Sequence, residues 1–218
     1  MKIAIWGSSG HALVVVDIIR SCGEYEIVGF LDDLHPEKYG TYVDGIPVLG
    51  GIEQLQILKR GGINNIIFGF GHCASRLKLS EFIALNGFEL ATAIHPKAVV
   101  AKNASIGPGT VIAAGAVVNP LARIGMNCII NTLSSVDHEC ILGDAVHISP
   151  GTHLGGLVTV DDGSWIGVGA AVRDHIHIGK CSMIGAGAVV VDNIPSGVLA
   201  YGVPAKVMGP YTEARLSI

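Results

Sequence analysis

A histidine and a glutamate stand side by side at His138-Glu139, and eighteen residues further along the chain reads Gly155-Gly156. Imidazole is the side chain most often used as a general base, and a carboxylate against it stabilises the imidazolium formed when it takes a proton. Glycines strip side chains from whatever they stack on. If positions eighteen apart are neighbours in space, His138 is a base beside an open groove; the competing reading is a surface histidine with an ordinary charged neighbour. A second candidate site lies in Gly7-Ser8-Ser9-Gly10-His11, between a strand-like run at 2–6 and an apolar helical run at 12–21. A glycine-rich turn ahead of a helix N-terminus presents N–H groups to an anion, most often phosphate, and Ser8 or Ser9 could also cap the helix. Asp32-Asp33 follow a strand-like run at 26–31, at the edge where open α/β sheets bind ligands and acidic side chains accept from ribose or base. No third glycine follows at the dinucleotide spacing, which favours a nucleotide-linked substrate over a nicotinamide cofactor.

The eighteen-residue neighbourhood is supplied by the stretch from Val100 to Ile194. A branched aliphatic recurs there at every sixth position, from Val100, Ile106 and Ile112 through Ile184 and Val190, without an insertion. Four residues after each comes a second inward candidate, mostly small, such as Ala104, Cys128, Cys140 and Ser164. A period of six fits neither an amphipathic helix nor an alternating strand; it fits a solenoid in which each hexad is a short strand and a corner. Three hexads close one triangular turn, so the chain makes about five coils, a prism on the order of 25 Å tall. Ahead of it, further strands at 64–69 and 88–94 flank Gly71-His72 and a helix at 73–86. This predicts a βαβ-type domain over 1–94, a solenoid over 95–195, and a tail over 196–218 that leaves the prism and covers a corner.

The bulk composition narrows the classes. A formal charge of −4 without a basic cluster argues against a nucleic-acid partner. The longest apolar run, 12–19, contains Asp17 and is too short to span a bilayer, and nothing at the N-terminus resembles a signal peptide. The five cysteines show no metal-like spacing, and Cys128 and Cys140 fall on inward positions, so free thiols and a cytoplasmic location are expected.

The hexads Ile106-Gly107-Pro108-Gly109-Thr110-Val111 and Ile184-Gly185-Ala186-Gly187-Ala188-Val189 resemble the left-handed parallel β-helix of the hexapeptide acyltransferases. The run from Asn131 to Cys140, with Gly7–His11, Phe30–Asp33 and Gly202–Lys206, is similar to bacterial nucleotide-sugar acetyltransferases: the UDP-4-amino-sugar N-acetyltransferases of the bacillosamine pathway and the related sialic acid O-acetyltransferases. The resemblance covers essentially the whole chain. It implies a Rossmann-like N-terminal domain holding a nucleotide-linked amino sugar and a homotrimeric prism binding acetyl-CoA between subunits, with no metal. Carried over by residue, His138 is the expected base and Glu139 its carboxylate partner. Ser9, Gly10, His11, Asp32, Asp33, Gly71 and Asn131 are expected around the sugar nucleotide. His147, Gly156, Val168, Ala186 and Lys206 are expected along acetyl-CoA. The expected reaction is direct N-acetylation of a 4-amino-4,6-dideoxy sugar, UDP-linked by preference, for glycan or glycoprotein precursors. Alternatives are O-acetylation of sialic acid or another sugar, a zinc hydratase using three of His138, His147, His153, His175 and His177, and a non-catalytic scaffold.

Overall fold

The computed structural model describes residues 1–212; the last six residues of the expected tail lie outside the described residues. The N-terminal unit is a sheet with strand order β3-β4-β2-β1-β5-β6. Its strands are β1 (Lys2–Trp6), β2 (Glu26–Leu31), β3 (Tyr42–Val43), β4 (Ile46–Gly50), β5 (Asn65–Phe68) and β6 (Glu89–Leu90). All neighbours are parallel except the β3–β4 hairpin, which sequence reading did not anticipate. Helix α1 (Gly10–Cys22) covers one face; α2 (Leu55–Arg60) and α3 (Cys73–Leu85) cover the other. The near-continuous aliphatic runs of β1 and β5 follow from this, since both faces of a parallel sheet are buried.

The second unit is a parallel β-helix of two-residue rungs. Rungs eighteen residues apart pair in register, as in Ile130↔Ile148 and Val136↔Leu154, and build three faces. The first face carries Val111–Ile112, Ile129–Ile130, His147–Ile148, Trp165–Ile166 and Met183–Ile184. The second carries Ser135–Val136, His153–Leu154 and Ala171–Val172, and the third Arg123–Ile124, Ile141–Leu142 and Thr159–Val160. The later residue of each rung is the hexad aliphatic and points inward: Ile130, Val136, Ile148, Val160 and Ile166 are fully buried. The second inward column is polar where it needs to be. Thr110, Thr152 and Ser164 donate from their hydroxyls to the carbonyls of Gly125, Gly167 and Gly179, each fifteen residues on, and the Cys140 thiol does the same to Gly155. These bonds satisfy buried corner carbonyls that the rung ladder leaves free.

Two boundaries differ from expectation. The strand anticipated over 88–94 is split: Glu89–Leu90 pairs with β5, while Ala93–Ile94 pairs with Val111–Ile112 as the prism's first rung. The change of partner follows from phase, because Ile94 is one hexad ahead of Val100. At the other end, Val198–Gly202 continues the first face beside Met183–Ile184 and then folds back as an antiparallel hairpin with Ala205–Pro210. The tail therefore extends one face before it turns. Helix α1 lies between the N-terminal sheet and the prism: Ala12, Val15, Val16, Ile18 and Ile19 share one core with Ala93, Val111 and Ala113. This double burial is why the apolar stripe of α1 is wide, with only a narrow exposed face at Leu13, Asp17, Arg20 and Ser21.

Truncating a column residue should collapse part of this core. Ile148→Ala is expected to cost about 2–5 kcal/mol, whereas Ile57→Ala, on the exposed side of α2, should stay within roughly 0.5 kcal/mol. Denaturant melts of the two variants check this; equal losses would contradict the assigned phase.

Candidate active site

The corner between the second and third faces carries His138 and Glu139 in sequence with Asp137. Asp137 accepts from the His138 amide at 2.7 Å and from Asn119 Nδ2 at 2.8 Å, and these bonds hold its carboxyl below the ordinary range. Glu139 has a positive φ of 58°, and so do Leu121, Leu157 and His175 at the same place in the coils below and above. Its backbone is therefore set by the solenoid and not by the chemistry. From there its Oε2 reaches His138 Nδ1 at 3.2 Å. With Nδ1–H donating to the carboxylate, the Nε2 lone pair is left to accept a proton. One coil on, Gly156 lies under the ring: a Cβ there would sit 2.5 Å from His138 Cε1 and 2.6 Å from Nε2. The Cys140 thiol points into the core, is bonded to Gly155 O at 3.1 Å and is pushed up to about 11 by burial, which removes it as a nucleophile.

A separate constellation forms where the N-terminal unit meets the first face. The ring of His147 stacks on Trp165, with centroids 4.8 Å apart and planes 19° from parallel. Trp165 in turn donates from Nε1 to Ser149 Oγ at 2.7 Å. Asn131 is pinned by the Thr132 amide at its Oδ1, so its amide nitrogen faces His147 Nε2 at 3.3 Å and places the imidazole proton on Nδ1. Across the junction stand Gly71, where a Cβ would come within 3.3 Å of the ring, and His11, 6.3 Å away between centroids. Burial, then the charge of Arg76, pushes His147 down to about 4; burial, Arg76 and then His147 push His11 down to about 3. Both are neutral imidazoles, and neither His11 Nε2 nor His147 Nδ1 has a hydrogen-bond partner among the described residues.

The N-terminal unit also holds a small, partly open cleft at the C-terminal ends of β1, β2 and β5. Trp6, Leu34, Phe70 and Leu79 form its apolar walls, and Gly7, Ser8 and Ser9 its rim. Ser9 sits at the N-cap of α1 without a side-chain capping bond, and the Ala12 amide turns back to the Ser9 carbonyl at 2.9 Å. Ser8 is committed elsewhere: its amide and hydroxyl both donate to Asp32. Asp32 also accepts from the Leu34 and His35 amides at 3.0 and 3.2 Å and lies 3.1 Å from His35 Nδ1. Burial alone would raise its carboxyl, but these bonds outweigh burial and lower it. Asp33 accepts from Trp6 Nε1 at 2.9 Å and from the Ile52 amide at 2.8 Å. The two aspartates, expected to face ribose and base, are thus first of all the groups that shape the pocket. His35 lines it and Lys38 Nζ lies 3.3 Å from Ser8 Oγ; neither is legible in the sequence, because a single basic residue in a turn carries no periodic signal.

Of the residues expected along acetyl-CoA, Gly156 lies with His138, but Val168 and Ala186 are exposed on the neighbouring corner, between the first and second faces. That corner is a ladder of small residues, Pro150-Gly151, Gly167-Val168-Gly169 and Gly185-Ala186-Gly187, following Asn131-Thr132 coil by coil. Lys206 is exposed on the terminal hairpin, with Nζ 3.8 Å from Asp192. His153 pairs with Ser135 at 2.8 Å, His177 with Asp161 at 2.9 Å and His175 with Asp174 at 3.7 Å, on scattered positions. Among the described residues no three His, Cys, Asp or Glu side chains are placed to share a metal ion, and no helix is long and apolar enough to cross a membrane.

An α/β unit docked on a hexapeptide β-helix is the architecture of coenzyme A-dependent acyltransferases, although a fold alone does not fix an activity. The comparisons agree. Residues 2–83 match the model of the PglD N-terminal domain. The chain is 39% identical to PerB of Caulobacter crescentus, solved with CoA and GDP-perosamine, with a TM-score of 0.91 over 96% of this chain and 98% of that one. It is 39% identical to the acetyltransferase domain of PglB from Neisseria gonorrhoeae, also solved with acetyl coenzyme A, with a TM-score of 0.89 over 95% of this chain and 99% of that domain. The UDP-N-acetylbacillosamine N-acetyltransferase of Bacillus subtilis is 38% identical over 108 residues; the chain spans about half the length of that relative, 48% of it. The chain belongs to the nucleotide-amino-sugar N-acetyltransferase family, and its coil is the left-handed parallel β-helix of that family.

The buried imidazoles make stability depend on pH. The unfolded chain binds protons near 6.5, whereas the folded chain refuses them until about 4 and 3, so His147 and His11 contribute their full stability above pH 6.5 and lose it progressively as pH falls. Melting temperature should therefore drop between pH 7 and 5, and His147→Gln should flatten that slope. An unchanged slope in the variant would show that His147 is not buried as a neutral base.

Proposed function

We propose that the protein transfers the acetyl group of acetyl-CoA to the 4-amino group of a nucleotide-linked 4-amino-4,6-dideoxy sugar, UDP-linked by preference, with His138 as general base. The observation that carries this reading is the His138 imidazole, held by Glu139 at Nδ1 and bare at Nε2 above the glycine of the next coil. A sugar amine attacking a thioester carbonyl must shed a proton before the C–S bond breaks. His138 Nε2 takes that proton, the tetrahedral oxyanion collapses, and coenzyme A leaves as its thiolate, which the imidazolium protonates. No covalent acyl-enzyme is needed. The base supplies roughly 10²–10⁴ in rate, and holding two substrates together supplies more.

The nucleotide occupies the N-terminal cavity, with its base between Trp6, Leu34 and Phe70 and its diphosphate at the open N-terminus of α1, where the dipole and free N–H groups favour anions. Lys38 beside Ser8 adds a cation. The pantetheine arm of acetyl-CoA lies along the small-residue corner past Val168 and Ala186; rungs roughly 4.8 Å apart give that ladder a length of about 15 Å, which suits an extended chain. GDP-perosamine and UDP-N-acetylbacillosamine in the names of its relatives place this substrate class, a nucleotide-linked amino sugar, within the family's reach. Free cysteines fit a cytoplasmic enzyme making precursors of surface glycans or glycoproteins.

The geometry also supports the homotrimer. The N-terminal unit packs on the first face, and the corner bearing His138 joins the other two faces, opposite it. Within one chain the base and the nucleotide cavity are on opposite sides of the prism; in a threefold assembly the His138 corner of one copy faces the Val168 corner and N-terminal unit of the next.

Coenzyme A release should be measured with UDP-, dTDP- and GDP-linked 4-amino sugars beside free sialic acid. One nucleotide amino sugar should turn over, and His138→Ala should lower kcat by about 10²–10⁴. Turnover of sialic acid alone would refute amine acetylation. Gly156→Ala should displace the imidazole and depress kcat while leaving the melting temperature nearly unchanged, since the side chain it pushes is free to move. Co-expressing His138→Ala with Ser9→Glu, which sets a carboxylate where the diphosphate sits, should restore activity that neither variant shows alone; no restoration would mean each copy acts by itself.

A further inference from the structure

Arg76 on α3 is among the largest fully buried side chains, at 0% exposure, and among the described residues no carboxylate pairs with it. Four of its N–H groups go to backbone carbonyls. Nη1 donates to Phe70 O at 2.9 Å and Phe68 O at 3.3 Å; Nε donates to Asn127 O at 2.7 Å and Nη2 to Gly109 O at 3.3 Å. The first pair spans the end of β5 and the turn after it, the second belongs to the prism corner between the third and first faces. The guanidinium also lies 5.5 Å from the Phe68 ring centroid and 6.0 Å from that of Phe70. A planar fork of donors is suited to gripping several carbonyls at once, and lysine has no equivalent geometry.

The two ends of this grip are functionally distinct. Phe70 is a wall of the nucleotide cavity, and Gly71, the next residue, is the backbone step against His147. Gly109 and Asn127 belong to the two successive coils that precede the rungs of His147 and Trp165 on the same face. We propose that Arg76 is a positioning residue for acetyl transfer: it locks the Phe68–Gly71 turn onto the prism, so that the nucleotide wall and the His11–His147 pair are held in one fixed relation, and it keeps a positive charge beside that pair. This inference rests on the proposed function, but its electrostatic half does not need turnover to be tested.

The groups facing the pair are few. His11 comes from α1, Arg76 from α3, the Gly71 backbone from the turn, and Asn131 and Trp165 from the prism; the thiols of Cys73 and Cys128 lie by the guanidinium, and burial raises Cys128 to about 12 so that it stays neutral. Burial is the largest cause that lowers both imidazoles, and the Arg76 charge is the next. Burial lowers Arg76 itself only to about 10, so it remains a cation.

Arg76→Met and Arg76→Lys separate the two effects. The first removes the charge and the grip; the second keeps a charge and loses most of the grip. Histidine Cε1–H NMR titration, with no substrate present, should show the His11 and His147 resonances of Arg76→Met moving to protonate roughly one pH unit higher than in the wild type, and those of Arg76→Lys near the wild-type position. In the acetyl-transfer assay, both variants should raise KM for the nucleotide sugar by about tenfold or more, with the acid limb of kcat/KM shifted upwards only in Arg76→Met. If Arg76→Met does not fold, Arg76→Lys decides: a wild-type KM in that protein overturns the proposal. Loss of activity in both variants with unmoved histidine titrations would overturn it too, reducing Arg76 to a folding strut. If the wild type turns over no substrate, the function reading fails and the titration still judges the charge.

Discussion

Everything in the prism follows from the ladder that ties residue n to residue n + 18. Each rung takes the hydrogen bonds of the coils on either side, so side chains have no freedom to slide past one another and must stack in columns. Inside, this makes a core of aliphatics at near-crystalline density. At the corners it has the opposite effect. A side chain there sees only the residue one coil away, so the depth of any surface groove is decided by the size of the residue eighteen positions on. Gly156 beneath His138 and the glycines flanking Val168 and Ala186 are consequences of the same rule: the molecule opens its surface by omitting Cβ atoms from a rigid lattice.

The N-terminal unit obeys a looser logic. It has no repeat to fix it to the prism, and its docking depends on α1, which is apolar on both sides, and on Arg76, which exchanges hydration for four carbonyls. Isolated buried charge is costly, and a guanidinium surrounded by carbonyl dipoles is a way to keep one without a counter-ion. Burial first, and the Arg76 charge after it, keep His11 and His147 neutral, which leaves two imidazoles at the junction able to donate and accept hydrogen bonds without carrying charge.

This contrast explains what was legible in the sequence. The hexads, the three columns, the inward cysteines and the juxtaposition of His138 with Gly156 could be read directly, because a strict period converts sequence distance into spatial distance. The β3–β4 hairpin, the split of 88–94 between two sheets and the partners of Asp32 could not, since each depends on contacts without a period. Arg76 was invisible for the same reason: its acceptors Gly109 and Asn127 lie 33 and 51 residues away, and in Cys73–Leu85 it reads as one more polar residue on a helix surface. Trp165 and His147 are exactly one coil apart on the outward side of their rungs, and their stacking was in principle readable; attention to the inward columns hid it.

On the proposed mechanism, the division of labour between the exposed corner of the prism and the junction has a physical rationale. Amine attack on a thioester needs a base that exchanges protons with solvent after each turnover, and it needs donors that keep their protons while the two substrates are held. One environment cannot serve both. His138 stands on an exposed corner, with its carboxylate partner equally exposed, where proton exchange is unhindered. His147, 6% exposed and stacked on an indole beside a fixed cation, is an imidazole whose protonation state hardly responds to the medium. Placing them on different faces of a rigid prism keeps the charge of one from perturbing the other within a chain. On the proposed mechanism it also means that a complete site is assembled from two surfaces. The columns that make the prism stiff are what allow those surfaces to meet, because a soft scaffold would spend in reorganisation the advantage gained from positioning.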